Sequence, residues 1–318
     1  MVKLAVVILM LLFFCNVYAS FDNPSKINKN IRNYILNKPS SEMIKTSDRY
    51  AYHQNSDKST YSISDFPSHI YQNFSSTFSF NQNSIYWIAG ITGVTLGFIS
   101  LDSKIDNSVR NLKNDHKWIN TASPIITNFG GNYAAYLSAA YAAYSISTGY
   151  KKGQETSVLL LESIVYSTIW TRLGKLIFGR ERPSATYQYS DRAGGKWYGI
   201  FLEIKNKRNL SVSSYDAFPS GHTSFAFSIA TVFAEQYNST LYVPVIAYSL
   251  AMAVGISRTT EHTHWASDIF VGACIGYFSG KSSIMIYNKI KNISNKKEIK
   301  ISLTPDLLNN GIGANVVF

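Results

Sequence analysis

Apolar residues gather in six stretches of this chain: about Ile85 to Ser100, Pro124 to Thr148, Thr156 to Leu173, His222 to Ala234, Leu241 to Ile256 and Ala266 to Ser279. Each is rich in Ala, Leu, Ile, Phe and Tyr, most outrun an ordinary strand, and polar, turn-like residues divide them. The pattern predicts an all-α protein with a six-helix bundle core. Phe21 to about Asn83 has few aliphatics and no clear period, which predicts a polar, weakly ordered N-terminal extension with a helical turn near Ile31 to Leu36. From Lys289 onward the chain is basic and then Gly/Asn-rich, with a short strand expected at Ala314 to Phe318.

The first residues differ again. Lys3 precedes the charge-free run Leu4 to Cys15, and Ala19-Ser20 supplies small residues where a secretory leader is cut, so cleavage after Ala19 is expected. The resulting plan is 1–19 leader, 20–84 extension, 85–288 helical domain and 289–318 tail. Charge-free runs such as Ile85 to Ser100 hold about 16 residues where roughly 20 are needed to cross a bilayer. Three crossings after a cleaved leader would also return the end of the third segment to the cytoplasm. The expectation is therefore a secreted or periplasmic domain of buried helices lying against a membrane, with an integral membrane protein as the alternative.

Composition narrows the function classes. Hydrophobic residues at 46% and 45 aromatics (Tyr 22, Phe 18, Trp 5) exclude a fully disordered chain. Lys plus Arg at 30 against Asp plus Glu at 19 gives +11, which suits an anionic partner. The sign alone does not choose among a small phosphoester, a lipid head group and a nucleic acid. Of two cysteines, Cys15 lies in the leader, leaving Cys274 without an internal disulfide partner and excluding a Cys-based metal cluster.

Three short stretches carry candidate chemistry: Lys175 to Pro183, Pro219-Ser220-Gly221-His222, and Ser257 to Asp268. Each is unremarkable alone. Together they fall at the ends of consecutive predicted helices, and in an up-and-down bundle those ends meet at one pole. Lys175, Arg182 and Arg258 would there form a cationic cage for a tetrahedral oxyanion, and Ser220-Gly221 would offer backbone N–H groups at a helix start. His264 and Asp268, four apart, share a helix face, so the carboxylate is expected to accept the ring N–H and leave the other nitrogen free to attack phosphorus. His222 is then expected to protonate the leaving group and later to activate water against a phosphohistidine.

The series Lys-x6-Arg-Pro, Pro-Ser-Gly-His and Ser-Arg-x5-His-x3-Asp resembles the type 2 phosphatidic acid phosphatase superfamily, shared with bacterial non-specific acid phosphatases and vanadium haloperoxidases. The resemblance covers about residues 85 to 285. It implies His264 as nucleophile, Asp268 as its orienting partner, His222 as general acid, and Lys175, Arg182, Ser220, Gly221 and Arg258 as phosphate ligands, without a metal or other cofactor. The expected substrate is a phosphorylated lipid or a small phosphoester, with a membrane surface as a further partner and no nucleic acid. Lipid phosphates of the phosphatidate or prenyl diphosphate type lead. A non-specific periplasmic acid phosphatase, a vanadate-dependent haloperoxidase and a catalytically silent envelope-binding protein are the alternatives.

Other residues read as structural. His262 points away from His264 at a spacing of two. Arg180 and Glu181 read as a solvated pair, with a second phosphate of a diphosphate as the other reading for Arg180. Glu162 reads as a paired or partly exposed carboxylate, and the run Tyr133 to Tyr144 as close helix packing with partnered hydroxyls. The long connection from Ser184 to Phe218, with Tyr187, Tyr189, Trp197, Tyr198 and Phe201 among Lys196, Lys205, Lys207 and Arg208, is either a selector of the leaving group or a surface cover.

Overall fold

A computed structural model describes residues 66–67, 69–71, 82–189, 194–199, 212–296, 300–306 and 311–317. The leader, the helical turn at Ile31 to Leu36, and Phe201, Lys205, Lys207 and Arg208 lie outside the described residues, as do the side chains of Tyr187 and Tyr189. The helices are α1 (Gln82–Asp115), α2 (Ile119–Thr127), α3 (Asn132–Ser147), α4 (Lys151–Phe178), α5 (Pro183–Tyr189), α6 (Gly221–Gln236), α7 (Tyr242–Thr260) and α8 (Ala266–Lys296). Strands β1 (Lys300–Asp306) and β2 (Gly311–Val317) form an antiparallel hairpin, Lys300 opposite Val317 and Asp306 opposite Gly311. The single expected strand at the terminus thus has a partner from the basic stretch, which supplies its backbone with hydrogen bonds.

The all-α core stands as expected, with two changes. The second apolar stretch is broken into α2 and α3 by a 3-10 turn at Asn128–Gly130. The reason is packing: a Cβ on Gly130 would lie 2.7 Å from the His222 carbonyl oxygen, so only glycine lets this turn press against the start of α6. α1 also runs well beyond its apolar part. Its buried positions Ile91, Thr95, Asp102 and Asp106 recur at helical spacing, so the polar half keeps one face inward and places two carboxylates on it.

At the centre, α6 packs against α8, α7 and α4. The side chains of Thr223 and Thr231 and the backbone of Ser224 and Ser228 meet Gly272, Gly276 and Gly280, spaced by four on α8. A Cβ on Gly272 would sit 2.5 Å from the Ser220 carbonyl oxygen, so the two backbones approach too closely for any other residue. Leu159, Leu160, Val232, Ile284 and Tyr287 fill the core on one side, and Phe178, Phe218, Val271, Ile275 and Phe278 fill it beside the pole described below.

The outer surface departs from the expectation of buried helices. On α3 and α7, Tyr136, Leu137, Ile146, Tyr242, Ile246, Met252 and Ile256 are all more than half exposed. Among the described residues, Tyr242–Thr260 and Ala266–Asn288 are long and apolar enough to cross a membrane. A broad exposed apolar face of this kind is uncommon on a monomer surrounded by water.

Candidate active site

Five main-chain groups tie the three motif stretches together. Ala217 N–H donates to the Arg180 carbonyl at 3.1 Å, Arg182 N–H to Ser214 at 2.9 Å, and Ser184 N–H to His262 at 3.0 Å. Ser220 N–H donates to the Asp268 carbonyl at 3.0 Å, and the Ala217 carbonyl accepts from His264 Nδ1 at 2.6 Å. Gly179, left-handed at φ 50°, ends α4 so that the chain can turn into this lattice. The helix ends therefore meet at one pole, as the order of the motifs predicts.

His264 is buried between α7 and α8. Because a carbonyl oxygen only accepts, the bond to Ala217 requires the proton on Nδ1 and leaves the Nε2 lone pair free. Burial first, and then the charges of Lys175, Arg182 and Arg258, hold the ring well below the usual histidine pKa. The imidazole is neutral in the resting site. The expected role of Asp268 needs correction in its geometry: its carboxylate lies 3.8 Å from Nδ1 and does not accept the ring proton. Asp268 instead accepts from the Trp265 N–H at 2.8 Å and from Arg180 at 2.6 Å. At the third residue of α8 it caps that helix, and the cap holds the carboxylate off the ring.

Lys175 and Arg182 converge on a residue that the sequence did not single out. Lys175 Nζ donates to the Asp216 carbonyl at 2.7 Å and its carboxylate at 3.1 Å, and Arg182 Nε donates to the same carboxylate at 2.9 Å. Burial alone would raise the Asp216 carboxyl, but Lys175 and Arg182 outweigh it and hold it below the usual range. Arg258 donates to Glu261. The cage is thus preformed around internal carboxylates.

Ser220 opens α6 in an extended conformation without capping it, its hydroxyl being paired with Thr223 at 2.9 Å. The first N–H groups of α6 keep no side-chain cap, as an anion-binding helix start requires. A Cβ on Gly221 would meet only Thr171 at 3.6 Å and Lys175 at 3.9 Å, so packing does not demand glycine there. His222 lies against the Gly131 turn, where a Cβ would come 3.2 Å from Nε2. Its pKa is lowered to about 4, by burial first and then by Arg258, Lys175 and Arg182. The same three cations act on both histidines, which places His222 and His264 around one cluster.

Behind the site, Arg180 is fully buried, not solvated as its sequence context suggested. It donates to Asp268, Ser267 and Asp102, each at 2.6 Å, and to the Gly194 carbonyl at 2.9 Å. Trp197 and Trp265 flank the guanidinium, with ring centroids at 4.6 and 5.3 Å. Asp102 also accepts from the Ser267 N–H at 2.9 Å, so α1 reaches the start of α8 directly. Glu181 is buried as well. Sequence carried one usable signal for this cluster, the lone aspartates on α1 spaced by four.

The remaining expectations sort themselves. His262 is paired with Asp106 at 2.8 Å, and Glu162 with His69 at 2.9 Å. Tyr141 bonds Tyr237 in the packed part of α3, while Tyr136 and Tyr144 face outward. In the long connection, Trp197 packs on Phe178 and Phe218, and Tyr198 on Tyr215, so this part covers the core. Among the described residues no group of three or more His, Cys, Asp or Glu side chains gathers as a metal site would.

Comparison with known proteins agrees with the motifs. A family model described as the PAP2 superfamily matches residues 156–291, the part that holds every motif position. The lipid A 1-phosphatase of Porphyromonas gingivalis is 40% identical over 76 residues, 24% of this chain and 17% of that protein. A probable lipid phosphate phosphatase 4 of Arabidopsis thaliana is 25% identical over 124 residues, 34% of this chain and 39% of that protein. The chain therefore spans less than half the length of these relatives. Among solved structures, LpxE of Aquifex aeolicus has a TM-score of 0.44 at 22% identity, covering 58% of this chain and 95% of that one. A transmembrane PAP2 type phosphatidylglycerolphosphate phosphatase from Bacillus subtilis has a TM-score of 0.41 at 16% identity, covering 66% and 96%.

Proposed function

We propose, with residues 156–291 matching the PAP2 superfamily as the premise, that this chain is a lipid phosphate phosphatase working through a phosphohistidine. The observation that carries the reading is the bond from His264 Nδ1–H to the Ala217 carbonyl, because it frees Nε2 beside three cations. Lys175, Arg182, Arg258 and the start of α6 hold the equatorial oxygens, and their fixed charges meet the charge that develops in transfer. Nε2 attacks phosphorus, the bond to the leaving oxygen breaks, and His222 gives that oxygen a proton. Water then attacks the phosphohistidine while His222 takes a proton, and inorganic phosphate departs. Asp268 acts through the peptide and helix start that carry His264.

The cationic cage supplies the charge neutralisation that a divalent metal supplies elsewhere, so catalysis is expected to survive chelation. The exposed apolar residues of α3 and α7 support work at a membrane, which would cover them. The relatives named for lipid phosphates support the substrate class. The test is phosphate release by the purified full chain from phosphatidate and a prenyl diphosphate in detergent, with EDTA present. Acid-quenched samples with labelled substrate should retain label on protein, and His264→Asn should abolish both label and turnover. A fully active His264→Asn variant would refute the mechanism.

A further inference from the structure

Five residues separate Arg258, in the last turn of α7, from His264, just before α8, and the chain reverses within them. The reversal is built on the Arg258 carbonyl, which accepts from the Thr263 N–H at 3.2 Å, the His264 N–H at 3.4 Å and the Thr263 hydroxyl at 3.0 Å. A helix ending of this kind needs a left-handed residue, and glycine is its usual occupant. Here the residue is His262, at φ 53°, and among the described residues no other non-glycine residue has a positive φ. A side chain in that conformation persists where its surroundings hold it there.

Two bonds do so. His262 Nδ1 donates to the Asp106 carboxylate of α1 at 2.8 Å, and the His262 carbonyl accepts from the Ser184 N–H at 3.0 Å, two residues beyond Arg182. Burial alone would raise the Asp106 carboxyl, but the bonds from His262 and Arg110 outweigh it and keep it ionised, as an acceptor must be. Other bonds grip the ends of the loop: Lys113 Nζ donates to the Thr260 carbonyl at 2.9 Å, and Trp265 Nε1 to the Glu181 carbonyl at 2.8 Å. His262 anchors its middle, and so joins α1, the Arg182 segment and the residues that carry His264.

We propose that His262 is a positioning residue: its bond to Asp106 and its left-handed backbone set the direction from which His264 Nε2 meets phosphorus. The assignment rests on the phosphohistidine reading above and adds a residue outside the motif positions. His262 acts through the loop and not on the substrate. A reacting atom misplaced by about 1 Å can cost about a hundredfold in rate. The cage of Lys175, Arg182 and the start of α6 is carried by other segments, so it should keep its grip on phosphate when the loop is disturbed.

The purified full chain in detergent would be measured for kcat on p-nitrophenyl phosphate, for binding of inorganic phosphate and of orthovanadate by calorimetry, and for Tm. Orthovanadate takes a fifth bond from an aligned ring nitrogen and phosphate does not, so the ratio of their affinities reads the aim of Nε2 without turnover. His262→Ala loses both the donor and an easy left-handed backbone, and should lower kcat and that ratio by about tenfold or more while phosphate affinity changes by less than about threefold. His262→Gly restores the backbone alone and should recover part of the loss. His262→Asn tolerates the left-handed region and carries an amide nitrogen on Cγ, where the ring carries Nδ1, so it should recover most. A ratio that stays at the wild-type value in His262→Ala and His262→Gly, whether or not Tm falls, overturns the positioning role. His262→Asn no better than His262→Gly overturns the bond to Asp106 as its means, and this comparison holds even if His262→Ala fails to fold. Wild-type protein that neither releases phosphate nor binds orthovanadate more tightly than phosphate would instead overturn the phosphohistidine reading, and the positioning role with it.

Discussion

Lys175 Nζ touches Asp216 twice, at 2.7 Å on its carbonyl and 3.1 Å on its carboxylate, so a cation expected to grip phosphate already holds an internal anion. Arg182 shares that carboxylate at 2.7 Å. The incoming phosphate must displace it or share with it. Asp216→Asn should tighten inhibition by inorganic phosphate by about threefold to tenfold, the order expected when one competing charge a few ångströms away is removed in a partly wet site. Weaker inhibition would show that Asp216 aligns the two cations more than it competes with phosphate.

Phosphate binding should draw a proton into the site. Burial and the three cations push the His222 pKa down to about 4, and a bound dianion would offset those cations and raise it. Binding is then accompanied by proton uptake at neutral pH and tightens as pH falls from 7 toward 5. Calorimetry of inorganic phosphate in buffers of different ionisation enthalpy would read the uptake directly. It should shrink in His222→Asn.

The same shift sets a stability trend with a definite sign. His222 has a lower pKa folded than unfolded, so the unfolded chain binds more protons between about 4 and the ordinary histidine value near 6.5. Ligand-free protein should lose stability as pH falls through that window, and His264, lowered more strongly, extends the loss downward. Thermal unfolding at pH 7 and pH 5 with and without phosphate checks this: phosphate should protect more at pH 5.

Arg180 links Asp102 of α1 to Asp268 of α8 through two contacts of 2.6 Å with all three side chains fully buried. Arg180→Ala would strand two buried carboxylates, and removing one partner of such a pair costs about 3 to 5 kcal/mol. A large drop in Tm is expected. Arg180→Lys keeps the charge but not the fork, and should lower kcat more than it shifts Tm, because Asp268 and the peptide before it lose their fixed position. Equal Tm for Arg180→Ala and wild type would contradict the buried assignment.

Two glycines should separate function from packing. Gly221→Ala meets only ordinary contacts at 3.6 and 3.9 Å, so it should fold normally and lose phosphate affinity where the helix start approaches the anion. Gly272→Ala puts a Cβ 2.5 Å from a carbonyl oxygen of α6 and should lower Tm sharply. Circular dichroism melts beside phosphate inhibition constants would read both.

Much of this protein was legible in its residues. The length and spacing of the apolar stretches determine helices in place of strands, and motif positions at the ends of successive helices determine that Lys175, Arg182, His222, Arg258 and His264 share a pole. Hydrophobic period and helix geometry act locally, so a linear reading reaches them. Tertiary structure alone decided which carboxylate meets which cation. Asp216 shows no pattern in the chain, and the four-residue spacing of Asp102 and Asp106 says only that they share a helix face, because the partners lie far away in sequence, at Lys175 with Arg182 and at Arg180 with Ser267. It also assigned the ring proton of His264 to Ala217 instead of Asp268. Four-residue spacing puts two side chains on one helix face, but His264 precedes the first turn of α8 and Asp268 closes the cap. Backbone direction at a helix start, which only the packed chain settles, decides where a hydrogen bond can point.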